Sequence, residues 1–179
     1  VPDDMVTGYG SAFANYSGTQ SYLANHSSTP VLFRVSGTSE FSQLNASSGN
    51  GALLRGHPVI FSGMLTDDLG NTLDGNVTAQ LDAHDFSVSY LGNGSYRSNG
   101  TIPSHYRLNH TLSFSWLGDE FHSGANGSLE VTVYVATQLL LAADPEMVLP
   151  GSNVTLTATL QEDDGTPLPT ETIELEVIL

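Results

Sequence analysis

No cysteine and no lysine occur in this chain, and its only cations are Arg34, Arg55, Arg97 and Arg107. A sandwich of about one hundred residues buries enough core to do without disulfides, so the missing cysteine leaves the cellular compartment open. The missing lysine excludes more. Net charge is −15 although only 13% of residues are charged. A phosphate backbone needs clustered Lys and Arg, so nucleic acid is excluded as a partner. Adhesion to an anionic membrane surface is disfavoured for the same reason. A strongly negative surface instead keeps modules soluble and apart. No run of eighteen apolar residues occurs, so no helix of this segment is expected to enter a membrane. The start Val1-Pro-Asp-Asp lacks the basic and apolar regions of a signal peptide. For an exported protein, signal and anchor are expected outside this sequence. Catalytic signatures are missing too. There is no Gly-x-Ser-x-Gly elbow, no ordering of Ser, His and Asp into a triad, and no Gly-rich phosphate loop before a helix.

What the chain has in quantity is repetition. The segment from Leu54 to Leu73 recurs 95 positions later, from Leu149 to Leu168. Gly56 falls on Gly151, Val59 on Val154, Phe61 on Leu156, Leu65 on Leu160, Asp68 on Asp163, Gly70 on Gly165 and Leu73 on Leu168. The N-terminal residues repeat as well, at offsets of 99 to 101. Val1-Pro2 falls on Ile102-Pro103. Ala12, Ala14 and Tyr16 fall on Leu112, Phe114 and Trp116, and Val31, Phe33 and Val35 on Val131, Val133 and Val135. Ala24-Asn25-His26-Ser27 falls on Ala125-Asn126-Gly127-Ser128, which places Asn25 and Asn126 in one recurring loop. A fixed period marks repeated modules, and one near a hundred residues is the size of a β-sandwich. The chain is therefore expected to hold the C-terminal half of one module (1–36), a complete one (37–136) and the N-terminal half of a third (137–179). The central module has surplus residues near Asn45–Gly51, a composition that reads as loop.

Alternation with period two dominates, and no stretch keeps a helical period over three turns. Val59-Phe61-Gly63-Leu65, Val154-Leu156-Ala158-Leu160, Val77-Ala79-Leu81, Ile173-Leu175-Val177, Leu112-Phe114-Trp116 and Leu129-Val131-Val133-Val135 each place apolar side chains on one face. Asp67–Asn71 and Asp163–Pro167 read as turns with a capping Asp and a glycine at positive φ. Asn93-Gly94, Asn99-Gly100 and Asn126-Gly127 are hairpin dipeptides. Trp116 sits on an inward phase, as a core anchor.

The glycines, apolar positions and Asp67 between Gly56 and Leu73, together with Leu112-x-Phe114-x-Trp116-x-Gly118-Asp119-x-Phe121 and a Val-rich last strand, resemble an immunoglobulin-like repeat. The kind resembled occurs in tandem in bacterial and archaeal surface proteins, including stalks, adhesins and S-layer-associated chains. The resemblance covers nearly the whole chain and implies an all-β fold of immunoglobulin-like sandwich repeats, with a period of about 95–100 residues. Its motifs specify turns and core, so they imply no activity.

Asn-x-Ser/Thr sequons stand at Asn15, Asn25, Asn45, Asn76, Asn93, Asn99, Asn109, Asn126 and Asn153, nine in 179 residues. Such density reads as an exported, N-glycosylated coat. No cofactor is expected. The acidic turns Asp67/Asp68 and Glu162/Asp163/Asp164 offer Ca²⁺ the oxygens it prefers, although no EF-hand spacing is present and turn capping accounts for them. Asp82-Ala-His84-Asp85 matches no metal-ligand spacing, and His105 and His110 are the only histidines lying near one another. The leading expectation is a non-enzymatic extracellular structural segment: a stalk, coat or filament. Its partners would be copies of itself, neighbouring immunoglobulin-like domains, and N-linked glycans. Its open half-modules could complete each other between chains, as donor strands do in pilus assembly. The alternative is an adhesin or carbohydrate-binding sandwich, which needs an exposed aromatic platform. Tyr90, Tyr96 and Tyr106 are its candidates.

Overall fold

A computed structural model describes residues 6–49, 51–147, 149, 151–169 and 171–175. The expected match at Val1-Pro2 and the strand position Val177 lie outside them. The described residues form strands and no helix.

The central strands are β5 (Ser39–Ser47), β6 (Leu53–Leu54), β7 (Pro58–Asp67), β8 (Val77–Leu81), β9 (His84–Phe86), β10 (Val88–Gly92), β11 (Ser95–Thr101), β12 (Leu108–Gly118) and β13 (Ser123–Tyr134). They make two sheets, ordered β10-β11-β7-β5 and β6-β13-β12-β8-β9. All pairs are antiparallel except β6 with β13. The first order is that of immunoglobulin strands D-E-B-A, and the run β13-β12-β8 is that of G-F-C. The fold is an all-β, immunoglobulin-like sandwich.

Alternation builds its core. Val59, Phe61 and Leu65 of β7 point inward with Ala79 and Leu81 of β8, Leu112, Phe114 and Trp116 of β12, and Val131 and Val133 of β13. Phe61, Leu65, Leu112 and Phe114 are 0% exposed, and full burial of such a side chain contributes about 1.5–3 kcal/mol.

Before the sandwich, β1 (Gly8–Ala12) pairs with β4 (Val31–Val35), and β2 (Asn15–Tyr16) with β3 (Asn25–His26). After it, β14 (Thr137–Asp144) pairs with β15 (Thr155–Glu162). These hairpins reproduce parts of the centre. Asn15↔His26 and Tyr16↔Asn25 correspond, 100 positions on, to Ser115↔Asn126 and Trp116↔Ala125. Leu139↔Leu160 of β14–β15 corresponds to Phe41↔Leu65 of β5–β7.

Several expectations need correction. Of the three Asn-Gly dipeptides read above as hairpins, only Asn93-Gly94 is a turn, with φ of 49° and 69° joining β10 to β11. Asn99-Gly100 lies within β11 and Asn126-Gly127 within β13. Both of those glycines sit under a packed side chain: a Cβ on Gly100 would lie 2.4 Å from the Phe86 ring, and one on Gly127 2.6 Å from Cβ of Phe41. The residues from Asn45 to Ser47 are strand, not loop. The chain bulges at Gln43 (φ 52°), and β5 then resumes pairing as Asn45↔Ser62. Asn25 and Asn126 do not share a loop, since both lie on strands and Asn25 takes the place of Ala125. Ile173 and Leu175 form no strand. Their counterpart β8 is held by β12, and no described strand of that kind follows β15.

Candidate functional site

The two acidic turns share a backbone and differ in what their carboxylates do. In the first, Asp67 N donates to Asn71 O (2.9 Å), Gly70 N to Asp67 O (3.1 Å) and Leu73 N to Leu65 O (3.1 Å). In the second, 95 positions on, Glu162 N donates to Thr166 O (2.8 Å), Gly165 N to Glu162 O (3.0 Å) and Leu168 N to Leu160 O (2.9 Å). The Asp67 carboxylate is buried and closes its own turn, accepting from Leu69 N (3.0 Å), Asn71 N (2.7 Å) and Asn71 Nδ2 (2.9 Å). Burial pushes this carboxyl up, but those donors and nearby His122 outweigh it and hold the group below the ordinary carboxylate range.

The second turn instead receives an arginine from the central sandwich. Arg55, 4% exposed, brings Nη2 within 2.9 Å of Glu162 and 3.1 Å of Asp164, and donates from Nε to Asp163 at 2.9 Å. Arg107 adds a contact to Glu162 at 3.4 Å. The bond from Arg55 holds the Asp163 carboxyl below its usual range. Asp163 N also donates to Ala136 O, as Asp68 N does to Thr38 O. A guanidinium therefore stands among the carboxylates that the sequence offered to Ca²⁺. Sequence reasoning missed this junction. The available signal was cation scarcity: two of the chain's four arginines converge on one turn.

The histidines and remaining acids spread out. Asp82, at φ 50°, accepts from Thr111 N (2.9 Å) and faces His110 Nδ1 (2.6 Å), which keeps its carboxyl below the ordinary range. His84 packs edge-on to Phe86, and Asp85 accepts from Gln80. His110 stacks on Tyr106, with His105 against the edge of the same ring. Among the described residues no three His, Asp or Glu are grouped to hold a metal ion. An open depression of about 400 Å³ on the four-stranded sheet is lined by Ser47, Ser62, Met64, Leu91 and Arg97 among others, with no acid or histidine.

The aromatic platform does not form. Tyr96 and Tyr106 are buried, their hydroxyls donating to Leu73 O (3.3 Å) and Leu81 O (3.1 Å). Tyr90 alone of the three is exposed. Trp116 is a core residue at 4% exposure, its indole filling the space a side chain on Gly75 would take.

Every sequon asparagine is exposed: Asn15, Asn25, Asn45, Asn76, Asn93, Asn99, Asn109, Asn126 and Asn153. Asn45 and Asn99 stand on the four-stranded sheet, and Asn109 and Asn126 on the five-stranded one, so both sheets of the sandwich carry them.

No protein-family model matches the chain, and no curated protein matches it. Among solved structures, the chain is similar to FdeC, an Escherichia coli adhesin. The TM-score is 0.46 at 18% identity, over 76% of this chain and 46% of that one. The chain thus spans less than half the length of FdeC. The fold rests on strand order.

The flanking hairpins expose what the sandwich buries. Leu156 is 38% exposed where its counterpart Phe61 is 0%, and Val154 is 45% where Val59 is 2%. Val31 is 69% exposed where the sequence match Val131 is 8%, and Tyr16 is 47% where Trp116 is 4%. Leu139 and Leu141 of β14 add exposures of 56% and 63%.

Proposed function

We propose that this chain is a glycosylated, non-enzymatic segment of immunoglobulin-like repeats, belonging to a stalk, coat or filament at the cell surface. In this reading residues 1–36 and 137–179 are halves of neighbouring modules, and 37–136 is a whole one. The observation that carries it is the exposure of all nine sequon asparagines, spread over both sheets and both flanking hairpins. Each exposed Asn leaves room for a glycan without disturbing the core. The recurring turn and the Arg55 clasp supply a joint between successive modules, which a stalk needs. In this reading Arg55 rather than Ca²⁺ holds the joint, because the guanidinium already stands among its carboxylates.

Intact-mass measurement of native material tests the reading. The expected result is a family of masses above the 19.0 kDa polypeptide, spaced by whole glycans and collapsing on enzymatic deglycosylation. An unmodified polypeptide mass sinks the coat. An adhesin that binds carbohydrate is the weaker reading, because its platform has shrunk to Tyr90.

A further inference from the structure

Strand alternation gives the four-stranded sheet an outer face as well as a core face. On β7, Ile60, Ser62 and Met64 are the outward positions between buried Val59, Phe61 and Leu65. Strand pairing sets them in rows across the sheet: Ser42–Met64–Ser95, Asn45–Ser62–Arg97 and Ser47–Ile60–Asn99. The depression of about 400 Å³ lies on these rows, with Gln43 and Ser47 of β5 on one side and Leu91 of β10 on the other.

Its lining runs against the composition of the chain. The sequence holds nineteen acidic residues and four cations, yet no acid lines the depression and Arg97 does. Ile60, Met64 and Leu91 supply apolar surface, Ser47, Ser62 and Ser95 supply hydroxyls, and Arg97 supplies donors. A sugar suits that mixture, because its C–H face lies on apolar side chains while its oxygens exchange hydrogen bonds with the rim.

A sequon stands beside it. Asn45 lies between Gln43 and Ser47 on β5 and directly opposite Ser62, and all three of those residues line the depression. Its side chain is exposed, while its neighbours Leu44 and Ala46 pack on the core. Ser62 is small, so no bulky side chain separates Asn45 from Met64, its diagonal neighbour at about 7–8 Å. Asn99 is the other sequon on these rows. Beside it on β11 stands Arg97 rather than a small residue, with Nε donating to Asn99 Oδ1 at 3.2 Å.

We infer that the glycan on Asn45 lies back across Ser62 and seats its first sugars in this depression, on Met64 and Leu91, with Arg97 donating to them. The contact rests on the glycosylation proposed above and gives one of those glycans a fixed place on the fold. It covers apolar surface that a bare sheet would show to water.

Methionine oxidation reads the contact, since peroxide converts an accessible thioether to its sulfoxide. Met64 is half-buried, and Met147, 89% exposed between β14 and β15, serves as internal standard. In the glycosylated wild-type chain, Met64 should oxidise several-fold more slowly relative to Met147 than in Asn45→Gln made by the same cells. Ser47→Ala keeps Asn45 but breaks its sequon, and should expose Met64 to the same degree. Asn99→Gln should leave Met64 protected. Arg97→Ala separates a seated glycan from one that only overhangs. It should speed Met64 oxidation more in the glycosylated chain than in the Asn45→Gln chain. Glycopeptide masses show which sequons are occupied. Equal Met64 rates with Asn45 occupied overturn the inference, as does protection that is indifferent to Arg97→Ala or is lost in Asn99→Gln. An unmodified Asn45 in a chain glycosylated elsewhere removes this contact and leaves the coat standing. A wholly unmodified chain removes both.

Discussion

Two residues show how much of the sandwich depends on single positions. Gly94 ends the β10–β11 turn at φ 69°, and a Cβ there would lie 2.5 Å from the Leu65 carbonyl oxygen. That oxygen is backbone inside a fully paired strand, so it cannot step aside. Gly94→Ala should cost about 1–3 kcal/mol in urea unfolding, with the slope unchanged. Asn93 beside it tolerates its left-handed φ far better, because asparagine populates that region. Asp67 is the second position. Its carboxylate satisfies three N–H groups of one turn, and Asp67→Ala would remove all three of these part-buried bonds at a cost of about 1–2 kcal/mol. Its folded-state pKa lies below the unfolded value, so its stabilisation is fully present above about pH 4 and is lost as pH falls through the folded value. Asp82 and Asp119 have the same sign. Acid titration by circular dichroism should therefore show stability falling only below about pH 4, and Asp67→Asn should flatten that fall. A wild-type curve already falling between pH 7 and 5 would contradict this.

At the scale of elements, the question is what holds the β14–β15 hairpin. Its apolar face is open, so its attachment rests on the Asp163 to Ala136 backbone bond and on the Arg55 clasp. Arg55→Gln shortens the side chain and removes the charge. It should raise hydrogen exchange of amides in 137–162 several-fold and leave β7 and β12 protected. Unchanged exchange would show that the backbone suffices. Here the limits of the sequence are physical ones. Alternation in β7, β8, β12 and β13 was legible because period two is a local property of a half-buried strand. The turn at Asp67 was legible because Asp and Gly act within five residues. Asn99-Gly100 and Asn126-Gly127 misled because the same dipeptide serves a strand when a distant ring, Phe86 or Phe41, needs the space of a missing Cβ. The strand expected at Ile173-Leu175 was a sound pattern without a partner. Tyr96 and Tyr106 looked available because burial is decided by the opposite sheet, not by neighbours in sequence. Among site residues, the exposure of the sequons on strands goes with their polar phase, and that of Asn76, Asn93 and Asn153 with their place between strands. The convergence of Arg55 on residues 108 positions away could not be read locally.

At the scale of the molecule, charge and apolar surface act against each other. Each copy carries −15, and joining two copies brings like charges together. The exposed apolar side chains of the flanking hairpins, led by Leu139, Leu141, Leu156, Tyr16 and Val31, answer to salt far less than the charges do. Screening should therefore strengthen association between copies. The Debye length falls from about 30 Å at 0.01 M to about 3 Å at 1 M. The mass seen by light scattering should therefore not fall as salt rises over that range. The Arg55 clasp has the opposite sign, because salt weakens an attraction between charges. It is screened less than an exposed pair, since Arg55 is only 4% exposed and lies within 3.1 Å of all three carboxylates. Exchange in 137–162 should thus change little over the same range of salt. Exchange that climbs with salt would show that an exposed, screened attraction holds the hairpin.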